Sequence, residues 1–420
     1  MNELNPDATR FDRVIGLDSH PDSFTAAPLL GATPATARVE KVFNKVPMNQ
    51  LSAWARKNTT PQDLIVLEAS GNSFEVVRVL ANLGRRALVL ESRWVGKLKE
   101  AHANNDKISA VRIGKAYLAG TAKRVWVPDP LTGERRDCFL AYTKATKRTT
   151  QISNRLASYL SDKGVRLNLG SKPFEQASLA EDIAQAKDWT PRQKIILEGM
   201  LMDGRHAREQ RAHWRSFIAQ EVLRDPLLLS LVRLCGVRDI VAFALGAIIG
   251  DITRFANPRK LVNYVGLNPA FDDSGENQWS GGLQGHGRKD LRALLIEAAQ
   301  SILRSRDPLA KWGKKLLAKK GQYNLAVAAV ARKLTVAIWY LMMGRWTPLE
   351  EVDGRLSQKV GKIITQVGRE TLQKMGKKRQ AYRMEIIDSL KQGRTYILEP
   401  EKRFIPKASS LAEEYGLAQA

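Results

Sequence analysis

Apolar and polar positions in the first hundred or so residues switch between two periods. Val14, Ile15 and Leu17 form a short run around Gly16, closed by Asp18-Ser19-His20. A run of that length, bounded by turn formers, predicts a buried strand, and Gly16 leaves its backbone open to close approach. Ser23 to Leu30 and Ala37 to Phe43 predict two more strands that complete a meander. Pro47 to Lys57 has helical spacing, with Leu51 and Trp54 on one face. Asp63 to Gly71 then repeats the opening form: Leu64 to Leu67 is apolar and ends on Glu68. Asn72 can cap a helix over Ser73 to Leu83 with Gly84 as its stop, and Ala87 to Leu90 is another short strand, followed by a helix to about Glu100.

Three strands, a helix and then strand–helix repeats make an α/β domain of ribonuclease-H-like pattern. A dinucleotide-binding fold is excluded, because no glycine-rich phosphate loop follows the first strand. Beyond it the chain reads as helical. A helix from about Glu134 to Leu160 has Phe139, Leu140, Tyr142, Ile152, Leu156 and Leu160 as its apolar positions. Residues 165–232 are helical and polar, broken at Gly170, Pro173, Pro191 and Pro226, and resemble a coiled-coil or bundle arm. Helices are also predicted over Lys289 to Arg304 and Tyr323 to Met343, the second apolar enough for a central core position. Trp312, Trp339 and Trp346 read as core residues. The domains expected are therefore 12–160, an arm over 161–230, a third domain over 231–347 and a basic tail over 348–420, partly mobile, with Lys374 to Arg383 as an electrostatic arm.

Charge narrows the function. The 420 residues carry 67 Lys and Arg against 43 Asp and Glu, a formal charge of +24, and most of the excess lies beyond Ala110. That balance implies a polyanionic partner, nucleic acid first, bound with salt-sensitive affinity. A merely soluble basic protein has the same composition. Cys138 and Cys235 stand far apart, which argues against a disulfide framework and against a zinc site. Among the five histidines only His206 and His213 share helical spacing, and a solvated face explains them as well as metal binding does. The N-terminal residues lack the apolar core of a signal peptide, and Ile240 to Ile249 is too short to span a bilayer, so a cytoplasmic protein without membrane contact is expected.

Asp18 and Glu68 are the candidate chemistry. Each closes an apolar strand, and two neighbouring strands with acids at the same depth would make an oxygen-rich site suited to Mg²⁺ or Mn²⁺. Either acid alone could simply cap a strand. Asp106 begins a helix, where it could be an N-cap or a third carboxylate; Ser109 follows one turn on, on the same face. Further along, Leu234 to Asp239 is a turn between helices. Phe271 to Arg292 is a glycine- and serine-rich loop running into a basic helix start, readable as a phosphate-handling loop or as a plain surface hairpin.

Taken in order, these stations resemble the DEDD insertion-sequence transposases, the family of pilin-gene invertases and bridge-RNA-guided recombinases. Gly16-Leu17-Asp18-Ser19-His20, Leu67 to Gly71 and Asn105 to Ala110 resemble its RuvC-like domain. Gly250-Asp251-Ile252 with Arg254-Phe255, Tyr264 to Pro269, Ser274-Gly275 and Gly285 to Lys289 resemble its second, transposase domain. The resemblance implies that Asp18, Glu68 and Asp106 are metal ligands and catalytic residues, with Mg²⁺ or Mn²⁺ as cofactor. The family has a fourth aspartate where Ser109 stands, and a neutral hydroxyl is a poorer ligand. Ser274 matches the family's catalytic serine, and Ser280 does not match the motif. Implied chemistry is strand cleavage through a serine–DNA link, exchange and religation. Implied partners are DNA, a structured guide RNA and further copies of the chain, as a dimer or tetramer. The alternatives are a RuvC-like structure-selective nuclease that uses water, and a decayed relative that only binds nucleic acid.

Overall fold

The structure, a computed structural model, describes residues 11–96, 105–274, 277–283, 285–345 and 353–398. They fall into two compact units that divide between Asp129 and Pro130.

The first unit is built on a mixed sheet of β1 (Val14–Ser19), β2 (Ser23–Leu30), β3 (Arg38–Val39), β4 (Phe43–Pro47), β5 (Leu64–Glu68), β6 (Arg86–Leu90) and β7 (Arg124–Val125). The order is β3-β2-β1-β5-β6-β7, with β4 also paired to β2. β1 runs antiparallel to β2 and parallel to β5, and β5 runs parallel to β6. Alternation splits the strand residues between two cores. Ile15, Leu17, Ile65, Leu67 and Val89 pack with α1 (Leu51–Asn58) and α2 (Ser73–Asn82). Val14, Leu64, Val66 and Leu90 pack on the opposite face, against α3 (Ser92–Gly96) and α4 (Asp106–Leu118). The strand expected over Ala37 to Phe43 is two pieces, Arg38–Val39 and a second that starts at Phe43; both pair with β2, and between them the Glu40 N–H still donates to the Pro28 carbonyl.

Helices α5 (Pro130–Asp162), α6 (Leu179–Gln185), α7 (Pro191–Arg224), α8 (Pro226–Leu231), α9 (Asp239–Ile249) and α10 (Pro258–Val265) open the second unit. A hairpin of β8 (Pro269–Ser274) and β9 (Asn277–Leu283) follows. Then come α11 (Lys289–Leu303), α12 (Pro308–Lys320), α13 (Tyr323–Met342), α14 (Asp353–Val367), α15 (Arg369–Lys374) and α16 (Arg379–Leu398). Pro191, Pro226, Pro258 and Pro308 each stand in a first helical turn, where the missing N–H costs no hydrogen bond. Thr190 and Gln193 add a reciprocal capping box to α7. α13 has the length and apolarity to cross a membrane, and its Val330, Ala331, Leu334 and Ile338 are wholly enclosed in the core of this unit.

Three regions differ from the sequence reading. α5 belongs to the helical unit, not to a first domain ending at residue 160. Its Phe139 joins a core with Ile218, Val222 and Phe243, and Arg136 donates to the carbonyls of Ala247 and Ile248. Nor is 161–230 a separate arm. The end of α5 and the start of α7 share a small core of Leu156, Leu160, Phe174, Trp189 and Leu197, while the later turns of α7 enter the main core. Residues 353–390 are not a loose tail. Leu356, Val360, Ile363, Ile364 and Val367 recur at helical spacing and are buried, Tyr382 is buried, and Arg383 donates to Ser357. Trp339 is a core residue, whereas Trp312 is exposed with Lys333 over its ring; Trp346 lies outside the described residues.

Candidate functional site

Pairing of β1 with β5 matches Leu17 to Leu67, so the next residues, Asp18 and Glu68, end neighbouring parallel strands side by side. Both follow the alternation of Val14, Gly16, Leu64 and Val66, the set that faces α4. What brings α4 to them is a glycine contact. A Cβ on Gly16 would fall 1.9 Å from the Ala110 carbonyl oxygen and 2.8 Å from the Gly114 nitrogen, so the helix lies directly on the strand backbone. One turn before Ala110 stands Asp106. It is not the N-cap: the Asn105 side chain accepts from the Ile108 N–H at 2.9 Å, which leaves the Asp106 carboxylate available at the positive end of the helix.

Sequence reasoning missed the third member of the cluster. His20 lies just past β1, where its N–H donates to the Ser23 carbonyl at 2.8 Å and closes the hairpin. Its own carbonyl accepts from the Asn72 side chain at 2.8 Å. Ser19 completes this brace, with its Oγ 3.1 Å from Ser70 Oγ and donating to Asn72 Oδ1 at 3.0 Å. The hairpin is thereby tied to the loop that follows Glu68. His20 Nε2 comes to 3.8 Å from Asp18 Oδ2 and 3.6 Å from Asp106 Oδ1. Ligand atoms of Asp18, His20 and Asp106 all lie within 4.8 Å of one another, close enough to share one ion. Glu68 stands one strand over and is not a member of that closest group. The available signal was Asp-x-His at the end of a strand, which a search by histidine pairs passes over.

Donor chemistry fits a divalent ion. Two carboxylates and an imidazole suit Mn²⁺ and other first-row ions, and the adjoining Glu68 adds a further oxygen source. His206 and His213 are elsewhere: both line an open groove between α5 and α7, with Lys144, Arg148 and Trp214.

In the second unit, Ser274 ends β8 and pairs with Asn277 at the start of β9. Its side chain, that of Ser280 and residue Gly275 lie outside the described residues. The feet of this hairpin are fixed by close backbone packing. Gly266 ends α10 at φ 80°, where a Cβ would come within 2.2 Å of the His286 carbonyl oxygen. Arg292 donates to the carbonyls of Gly266 and His286, and the Arg288 N–H donates to the Tyr264 carbonyl at 2.9 Å. Arg254 stacks on Phe255 and Tyr264, at 4.3 and 4.6 Å from the ring centroids.

Residues 230–312, which contain α9, α10, this hairpin and α11, match the family described as Transposase IS116/IS110/IS902. The chain is 25% identical over 285 residues to the transposase for insertion sequence element IS1111A of Coxiella burnetii, covering 66% of this chain and 77% of that protein. A probable family 20 transposase of Pseudomonas aeruginosa is 23% identical over 287 residues, covering 67% of this chain and 84% of its own length. These similarities support an insertion-sequence transposase. An enzyme of that kind cuts and rejoins DNA, which agrees with the basic charge.

Proposed function

We propose that this transposase is a metal-dependent DNA recombinase whose first unit is a ribonuclease-H-like domain that holds Mg²⁺ or Mn²⁺ through Asp18, Glu68 and Asp106. The reading is carried by one observation: Asp18 and Asp106, 88 positions apart in sequence, present their carboxylates at the same strand end, beside Glu68. Three antiparallel strands followed by parallel strand–helix repeats support the ribonuclease-H-like assignment. Bound there, a divalent ion supplies positive charge to a phosphodiester and to the oxygens that gain charge as it reacts.

Ser274 is the nucleophile in this proposal. Its Oγ loses a proton to solvent or a base and attacks the scissile phosphorus. A Ser274 Oγ–P bond forms, one P–O bond to deoxyribose breaks, and the strand leaves with a free hydroxyl. A hydroxyl from the exchanged strand then attacks the phosphoserine, restoring a phosphodiester and the serine. The number of phosphoester bonds is conserved, so no external energy source is needed. Target choice is assigned to a structured guide RNA, held by the basic helices through shape and phosphate contacts, and the active assembly is a homo-oligomer.

The test is incubation of the full chain with Mn²⁺ or Mg²⁺, its own element ends and RNA transcribed from the flanking element. A denaturation-resistant protein–DNA adduct that maps to Ser274 and is absent from Ser274→Ala is the expected result. Strand cleavage unchanged in Ser274→Ala, with no adduct, would instead establish a water-using nuclease.

A further inference from the structure

We infer that His20 is itself a ligand of the divalent ion at Asp18 and Asp106, so that the centre takes one imidazole nitrogen with its carboxylate oxygens and prefers Mn²⁺ to Mg²⁺. The inference rests on the metal-binding reading proposed above and adds a ligand and an ion preference to it.

Distances carry the argument. At 3.8 and 3.6 Å, His20 Nε2 is too far from Asp18 Oδ2 and Asp106 Oδ1 for a hydrogen bond to either. An octahedral ion with bonds near ~2.1 Å sets adjacent donors about 3.0 Å apart and opposite donors about 4.2 Å apart. Both His20 separations fall between those limits, and all three ligand atoms lie within 4.8 Å of one another, so a small adjustment brings them to one ion. Among the described residues, no hydrogen bond or other ion pair engages the ring. His20 is held by its backbone, through Ser23 and Asn72, and its side chain is 49% exposed, so packing does not require an imidazole there.

Ligand type then sets the preference. Mg²⁺ takes oxygen donors and keeps its water, whereas imidazole suits first-row transition ions. Carboxylates alone would favour neither ion strongly. Adding a nitrogen favours Mn²⁺, and the negative charge of the acids attracts the dication.

The test uses the full-length protein titrated with Mn²⁺ alone, read by electron paramagnetic resonance with pulsed detection of nitrogen coupling, and with Mg²⁺ as competitor. The wild-type protein is expected to show coupling from a directly bound imidazole. His20→Ala should lose it, with Mn²⁺ affinity falling about 10- to 100-fold and Mg²⁺ affinity changing less. His20→Asp should also lose the coupling and shift the preference toward Mg²⁺. His20→Asn serves as a second variant if the alanine protein melts at a lower temperature. Retained nitrogen coupling, or wild-type Mn²⁺ affinity in folded His20 variants, would overturn the inference. Asp18→Asn and Asp106→Asn separate the two levels. Should they abolish Mn²⁺ binding while His20→Ala does not alter it, only the role of His20 fails. Mn²⁺ binding unchanged in both would remove the metal centre and the inference with it.

Discussion

Gly16 and Gly114 cross backbone against backbone, and at Gly16 no side chain larger than hydrogen fits without moving the helix backbone. A Cβ on Gly114 would meet Leu29 Cδ1 at 2.2 Å, as one on Gly16 would meet Ala110. This crossing sets the height of α4 above the sheet, and therefore the distance from Asp106 to Asp18.

Gly16→Ala should accordingly act on stability and on the site together. Overpacking a filled core costs about 1–3 kcal/mol, and backbone yields less readily than a side chain, so the upper part of that range is expected. Thermal unfolding should show the first unit melting several degrees lower. Mn²⁺ affinity should fall as well, because α4 is lifted with Asp106 on its first turn. A variant that melts lower but binds Mn²⁺ as the wild type does would mean that the crossing supports the fold only.

At the other end of β1, Arg13 fixes the strand starts. Its Nε donates to Asp63 Oδ1 at 2.9 Å, one Nη to Asp63 Oδ2 at 2.8 Å, and the other Nη to Glu40 Oε2 at 2.9 Å. Asp63 is 1% exposed and also accepts from the Thr60 N–H at 2.7 Å. These bonds hold the guanidinium well above its already high ordinary pKa, the Asp63 hydrogen bonds being the largest cause. Removing one partner of such a pair leaves a buried charge unpaired, at a cost of about 3–5 kcal/mol. Arg13→Ala should therefore destabilise the unit by roughly that amount in urea titrations, and Arg13→Lys should recover only part, since an ammonium cannot make the two-pronged contact.

How far the site was readable in sequence follows from where its members sit. Asp18 and Glu68 were legible because each closes an apolar run, and strands with period-2 alternation carry such acids to one edge. Asp106 was legible as a helix start, but its competition with Asn105 for the cap needed coordinates. His20 was not legible as a cluster member, because its position depends on the hairpin bond to Ser23 and on Asn72, 52 residues away. In the second unit Pro191 and Pro226 were read as breaks, and both do mark helix starts. The C-terminal helices were obscured by charge. Leu356, Val360, Ile363, Ile364 and Val367 have clear helical spacing, yet the lysines among them suggested a solvated tail.

Asp290 gives a pH dependence of known sign. Desolvation raises its pKa, but hydrogen bonding and charge from Arg288, with bonds of 2.7 and 3.1 Å, outweigh it and hold the carboxyl below the ordinary aspartate value. A lowered folded-state pKa contributes stability that is present above the ordinary value near 3.8 and is lost as pH falls through the depressed one. Wild type should therefore melt higher than Asp290→Asn at pH 6, and the difference should shrink only as pH drops below about 4. A gap that is constant from pH 6 to 3 would show that the carboxylate charge contributes nothing. The exposed position of the pair keeps the expected gap small.

Lys144 and Arg148 offer a direct test of whether the helical unit holds nucleic acid. They stand one turn apart on α5 and line the groove shared with His206, His213 and Trp214, and no ion pair joins either to an acid among the described residues. Glu209 also lines the groove, so a strand of phosphates there would follow the α5 side. Each phosphate contact releases condensed counterion, and losing one lowers the slope of log affinity against log salt by about 1. Lys144→Ala with Arg148→Ala should then reduce the slope for element-end DNA or its transcript by about 2, and weaken binding most at low salt. Equal loss of affinity at all salt concentrations would point to a packing defect in the α5–α7 pair instead. An unchanged slope would move the phosphate path to another basic surface, for which the dense lysines of α12 are the next to substitute.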